Sequence, residues 1–277
     1  MIVRVPASSA NLGPGFDALG MALDLHAEVG LLDGDLPGDA QAVDEHHPAT
    51  KAFRAGGGRG ALWVRCSIPV GRGMGYSGAV RVGGLVAATV QRMGVESLRG
   101  GGSAEVLRLA TELEGHADNV AASLYGGVVA TAAGRVVHVP LGFDPAVVVW
   151  VPSFTTSTDD SRHRLRSTVP FDDAVFNVGR TALLVAALAG GDVHALRDAT
   201  QDRLHQAARL ATAEPSREAL QAGVDAGAWC GWLSGSGPTI ALLCAPDLVD
   251  RVIAGLPESG RSRHLRIDHA GAVVEGA

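Results

Sequence analysis

The sequence is short of lysine, cysteine and aromatic residues, and each shortage closes off a class of function. Lys51 is the only lysine among 277 residues, so an ordinary Walker A phosphate loop, GxxxxGK[ST], is excluded. The three cysteines, Cys66, Cys230 and Cys244, lie far apart with no CxxC spacing. They read as reduced, buried thiols, and a cytoplasmic location is the expectation. Aromatic residues make up 4% and the formal net charge is −6 with no dense basic run, which argues against nucleic acid as a partner. No apolar stretch reaches ~18 residues without a charge or a glycine, so no membrane span is expected. The N-terminus opens on a strand-like IVRV rather than a basic-then-apolar leader. His46, His47 and His116 have poor spacing for a metal and no cysteine joins them, and the first two read as solvated.

What the chain has in abundance is glycine, 37 residues, and 47% hydrophobic content, ample for a buried core. The stretch from Ile68 to Arg81, IPVGRGMGYSGAVR, follows a strand-like run at Ala61 to Cys66 and opens a helical pattern that reaches Met93. Pro69 fixes its own backbone, and Gly71, Gly73, Gly75 and Gly78 remove the Cβ atoms that would keep a ligand from the main chain. Bare N–H groups at a helix start, with roughly half a positive charge from the peptide dipoles, suit a phosphate chain. Arg72, Met74 and Tyr76 complete this candidate nucleotide loop, and the Ser77 hydroxyl could reach a phosphate or a magnesium ion.

Around the loop, Ile2 to Val5 reads as a strand ended by Pro6, and His26 to Leu32 as a second strand. Ser103 to Glu114, Phe171 to Leu188, Asp192 to Arg209 and Glu214 to Ala226 have helical spacing. Gly127 to Val139 reads as a hairpin turning at Ala133 and Gly134. His205 reads as a helix-surface residue. Ala228 to Leu233 and Ile240 to Leu243 read as strands flanking the turn LSGSGPT.

That turn, the central loop and the N-terminal VRVPASSANLGPGFDALGMAL together resemble the three motifs of the GHMP kinases. Within that superfamily PASSANLGPGFDALG, EGHADNVAASLYGG and AVFNVGRTALLVAAL are similar to homoserine kinase, and the likeness runs from residue 2 to about residue 245. The resemblance implies an α+β, two-lobed GHMP kinase fold. A nucleotide-binding lobe would span residues 1–150 and a ferredoxin-like lobe residues 151–277. It implies ATP and Mg²⁺, a small hydroxy amino acid as substrate and a possible homodimer. The expected reaction is phosphorylation of the homoserine hydroxyl. The alternatives are another hydroxy amino acid as substrate, or a paralogue that binds nucleotide or amino acid without turnover.

The resemblance also distributes roles. Asn11, Asp17, His116, Asn119, Thr158, Arg162, Arg209 and Gly235 would bind substrate, with Asp17 on its ammonium group and Arg162 and Arg209 on its carboxylate. Asn119 and Arg162 would serve catalysis, although an amide takes no full proton, so no dedicated base is evident. Glu114 matches the family's magnesium glutamate, with Glu112 as a rival, and Ser77 would share the metal. Two departures stand out: Tyr76 replaces the first serine of the usual GLGSSA loop, and no asparagine matches the one that frames adenine.

Overall fold

The computed structural model describes residues 1–99, 101–155, 158–163 and 165–276, with the side chains of residues 158–160 outside that description. The strands in chain order are β1 (Ile2–Ala10), β2 (Leu19–Leu31), β3 (Gln41–Val43), β4 (Leu62–Cys66), β5 (Val128–Ala132), β6 (Arg135–His138), β7 (Ala146–Pro152), β8 (Cys230–Leu233), β9 (Ile240–Cys244), β10 (Gly260–Leu265) and β11 (Val273–Glu275). The helices are α1 (Pro48–Ala55), α2 (Tyr76–Met93), α3 (Gly102–Glu114), α4 (Asp118–Tyr125), α5 (Thr158–His163), α6 (Phe171–Gly190), α7 (Leu196–Ala199), α8 (Gln206–Leu210), α9 (Glu214–Asp225) and α10 (Val249–Gly255).

The first sheet has the order β11-β1-β2-β4-β3, with β5 also paired to β2 and β6 beyond it. Pro6 does not end β1: the register with β2 shifts between Pro6 and Ala7, and the strand runs on to Ala10. A bulge is where a strand tolerates a residue with no N–H. The apolar run Ala18 to Leu23 and the strand read at His26 to Leu32 form one strand, β2, which pairs with β1 along both halves, with β5 at its start and with β4 at its end. The hairpin turns at Ala133 and Gly134, both with positive φ, 48° and 74°.

The second sheet has the order β10-β7-β9-β8, and with its helices it gives the β-α-β-β-α-β succession of a ferredoxin-like unit. All seven residues of β7 are buried, as a continuous apolar run predicts. β10, with the polar sequence GRSRHL, sits at the sheet edge and gave no apolar signal. The helical pattern over 192–209 breaks between α7 and α8. There the Asp202 carboxylate accepts the N–H groups of Leu204, His205 and Gln206 at 3.1, 2.9 and 2.7 Å and starts a new helix.

By length and composition α6 could cross a bilayer. One side of it packs on the protein through Leu184, Ala187 and Leu188, and Asn177 and Thr181 donate to the Pro14 carbonyl at 3.2 and 3.1 Å, while Phe171, Val175 and Val178 are exposed. The two sheets are joined beside the glycine loop. Ser9 Oγ accepts from Trp232 Nε1 at 2.9 Å and lies 2.8 Å from Ser234 Oγ, which donates to the Gly73 carbonyl at 2.6 Å.

Candidate active site

The loop between β4 and α2 borders a cavity of about 220 Å³. Gly75 is left-handed at φ 70° and opens α2; a Cβ there would meet Ser8 Oγ at 2.0 Å. A Cβ on Gly73, φ 73°, would meet the Ser234 carbonyl at 2.2 Å. These two glycines therefore serve first the close approach of the protein's own backbone, which holds the loop in shape. Arg72 donates to the Ser153 carbonyl at 2.8 Å and ties the loop to the second sheet. Met74 is buried and its carbonyl accepts the Ser8 N–H at 3.2 Å.

Tyr76 lines the cavity, with its hydroxyl 2.9 Å from His47 Nε2. Because His47 Nδ1 accepts the Ala49 N–H at 3.2 Å, Nε2 carries the proton and donates to the phenol. The phenol is thus tied to the start of α1, and His47, expected to be solvated, is half-buried. Burial holds the His47 pKa below its ordinary value.

Across the cavity Arg162, on α5, grips Asp17 with two parallel hydrogen bonds, 2.9 and 2.7 Å. Asp17 has φ 55°, and its N–H donates to Asn11 Oδ1 at 3.1 Å. Asn11 Nδ2 and Arg209 both donate to the Gly235 carbonyl at 3.1 Å. Arg209 is 6% exposed, also donates to His205 Nδ1 at 3.1 Å, and its buried Nε has no hydrogen-bond partner among the described residues. Burial, then the neighbouring Arg162 charge, hold its pKa down. The Phe16 ring lies 5.3 Å from the Arg162 guanidinium carbon and 5.4 Å from that of Arg209.

Below this pair, His116 Nδ1 meets Asp118 Oδ1 at 2.8 Å, and the same oxygen accepts the Asn119 N–H at 2.7 Å. A carboxylate on Nδ1 leaves Nε2 of a neutral ring as the acceptor. Asn119 Oδ1 accepts from Ser8 Oγ at 2.9 Å, which leaves its amide nitrogen to the cavity that it lines.

Ser77 donates to Glu114 Oε2 at 3.0 Å, and the Arg81 guanidinium reaches both groups. Glu112 points outward to Arg108 at 2.5 Å, so Glu114 is the glutamate at the cavity. Its oxygen chemistry would suit magnesium. Its charge, however, is already met by an arginine, and no group of three or more His, Cys, Asp or Glu converges among the described residues. As it stands, the set does not fit a divalent ion.

Of the residues expected at the site, Asn11, Asp17, the 69–77 loop, Glu114, His116, Asn119, Arg162, Arg209 and Gly235 line one cavity. Thr158 opens α5, but its side chain lies outside the described residues. His205 is no surface residue: it is 1% exposed and sits between Arg209 and the Gly13 carbonyl at 2.7 Å. Ser8, Phe16, Asp118 and Arg81 were not anticipated. The first three stand inside the quoted motifs, and Arg81 is one helical turn from Ser77, which was the available signal.

The comparisons with known proteins agree with this architecture. The GHMP kinases N terminal domain matches residues 41–127 and the GHMP kinases C terminal domain residues 184–262. The homoserine kinase of Moorella thermoacetica is 40% identical over 88% of this chain and 87% of its own length. That of Desulfitobacterium hafniense is 37% identical over 98% and 99%. The crystal structure of homoserine kinase from Cytophaga hutchinsonii superposes with a TM-score of 0.83 at 26% identity, covering 99% of this chain and 96% of that one. With both lobes, the glycine loop and the motif residues around one cavity, the chain belongs to the homoserine kinase family of the GHMP kinases.

Proposed function

We propose that the protein transfers the γ-phosphoryl group of ATP to the side-chain hydroxyl of L-homoserine, giving O-phospho-L-homoserine and ADP, a step of threonine biosynthesis. The observation that carries this reading is the coupling of two features in one cavity: a glycine loop at a helix N-terminus, and a paired Asp17 and Arg162 beside Arg209, whose Nε has no hydrogen-bond partner among the described residues. An α-amino acid presents one cation and one anion a few ångströms apart, and Asp17 with the two arginines is the complementary set.

In this reading the N–H groups of residues 71–77 hold the phosphates, and Arg72 adds positive charge. Arg162 and Arg209 take the substrate carboxylate, Asp17 takes its ammonium group, and Asn11 and the Gly235 carbonyl hold that end of the pocket in place. His116, fixed by Asp118, and the Asn119 amide orient the hydroxyl. Rate enhancement comes from in-line positioning and charge stabilisation, with the hydroxyl proton passing late to a phosphate oxygen. Magnesium, when bound with the nucleotide, would neutralise phosphate charge, and hard oxygen donors are the kind it prefers. The three free cysteines, Cys230 and Cys244 buried and Cys66 exposed where burial was expected, suit a reducing compartment, the cytoplasm.

Coupled ADP release with ATP, Mg²⁺ and a panel of homoserine, threonine and serine tests the assignment. Turnover fastest with homoserine supports it. Turnover only with another hydroxy amino acid, or tight binding of ATP without ADP release, overturns it.

A further inference from the structure

Glu114 has a side chain 10% exposed, and a carboxylate so enclosed needs a positive partner. A metal ion is one way to supply it. The structure shows another: Arg81, one turn along α2 from Ser77, extends its guanidinium onto Glu114 Oε2 and Ser77 Oγ together. Arg81 is itself 22% exposed and does not line the cavity, whereas Ser77 and Glu114 do. The cation therefore stands behind the cavity wall, attached to the two oxygens that a divalent ion would approach from the front.

We propose that Arg81 is the resident cation of the Ser77–Glu114 pair, a positioning residue that takes the charge-neutralising place of a protein-bound metal. A carboxylate and a guanidinium in contact carry no net charge. An incoming dication gains little from such a pair and is repelled by the arginine at nearly the same distance. The protein then binds a divalent ion only as a complex with nucleotide, while Arg81 fixes the Ser77 hydroxyl at the start of α2. Fixed there, Ser77 presents an oriented oxygen to the phosphate site. The proposal rests on the nucleotide reading of the loop, but its central test does not use nucleotide.

The test is Mn²⁺ titration of the nucleotide-free protein, read by electron paramagnetic resonance, on the wild type, Arg81→Met and Arg81→Met/Glu114→Gln. The expected result is no saturable site in the wild type, one saturable site in Arg81→Met that binds at least about tenfold tighter than the non-saturating background, and loss of that site in the double variant. One Mn²⁺ bound by the wild type and lost in Glu114→Gln would overturn the proposal, and that measurement stands even if Arg81→Met does not fold. A folded Arg81→Met that takes up no Mn²⁺ would overturn it too. ATP titration of the wild type reads the nucleotide site separately, so failure of the kinase reading is distinguishable from failure of this one.

Discussion

Asp17 and Arg162 are locked to each other by two parallel hydrogen bonds, 2.9 and 2.7 Å, across the mouth of the pocket that we assign to the substrate. The pair sets a condition on binding. Under the proposed function each partner exchanges its protein counter-charge for one end of a zwitterion, so a ligand carrying only one charge leaves one partner unpaired. Arg162→Ala should raise KM for homoserine roughly 10- to 100-fold, about 1.4–2.7 kcal/mol, with a smaller change in kcat. Steady-state kinetics check this, and an unchanged KM would remove Arg162 from the site.

The loop glycines separate by what a Cβ would meet. Gly73→Ala drives a methyl into the Ser234 carbonyl at 2.2 Å on top of a left-handed backbone, and should cost about 2–4 kcal/mol of stability. Gly71 has a similar φ, 66°, but a Cβ there would find Thr155 at a comfortable 3.6 Å. Gly71→Ala should cost only the backbone strain, about 1–2 kcal/mol. Urea denaturation of the two variants gives the comparison, and equal losses would contradict it.

Asn119 holds Ser8 through its oxygen and lines the cavity with its amide. Asn119→Ala should lower kcat about 10- to 100-fold, because an oriented donor at the reacting group is removed. Thermal melting of the same variant separates this loss from unfolding, and an unaltered kcat would withdraw the catalytic assignment.

His205 supplies a pH signature. Burial holds its pKa below 6.5, since a charged ring would lose water and face Arg209. The neutral ring is the form that folding favours. Its stabilisation is therefore complete above pH 6.5 and is lost as pH falls from there through the lower folded-state value. The wild-type melting temperature should decline over that acidic range. His205→Gln, which keeps a donor and an acceptor, should flatten that part of the profile, and an identical slope would refute the assignment.

The glycine loop and the stretch PASSANLGPGFDALG were legible because their chemistry is carried by neighbouring residues in short motifs. What stayed hidden depends on partners distant in the chain. Ser8 is read as a loop serine until Asn119, 111 residues on, is seen to accept from it. Arg81 looks like one solvated helix arginine until Glu114 arrives from α3. His205 seemed exposed because the break at Asp202 was not foreseen, and without that break the helix phase is wrong. Pro6 seemed a terminator because a bulge leaves no mark in the residue pattern.

The Ser9 hydroxyl, which meets Trp232 from one sheet and Ser234 next to the glycine loop, has a consequence for how the molecule comes apart. The glycine loop, whose Gly73 carbonyl accepts from Ser234, cannot loosen without releasing the seam between the two halves. The two sheets should then behave as one cooperative unit, giving a single calorimetric peak, and occupancy of the loop should harden the distant half as much as the near one.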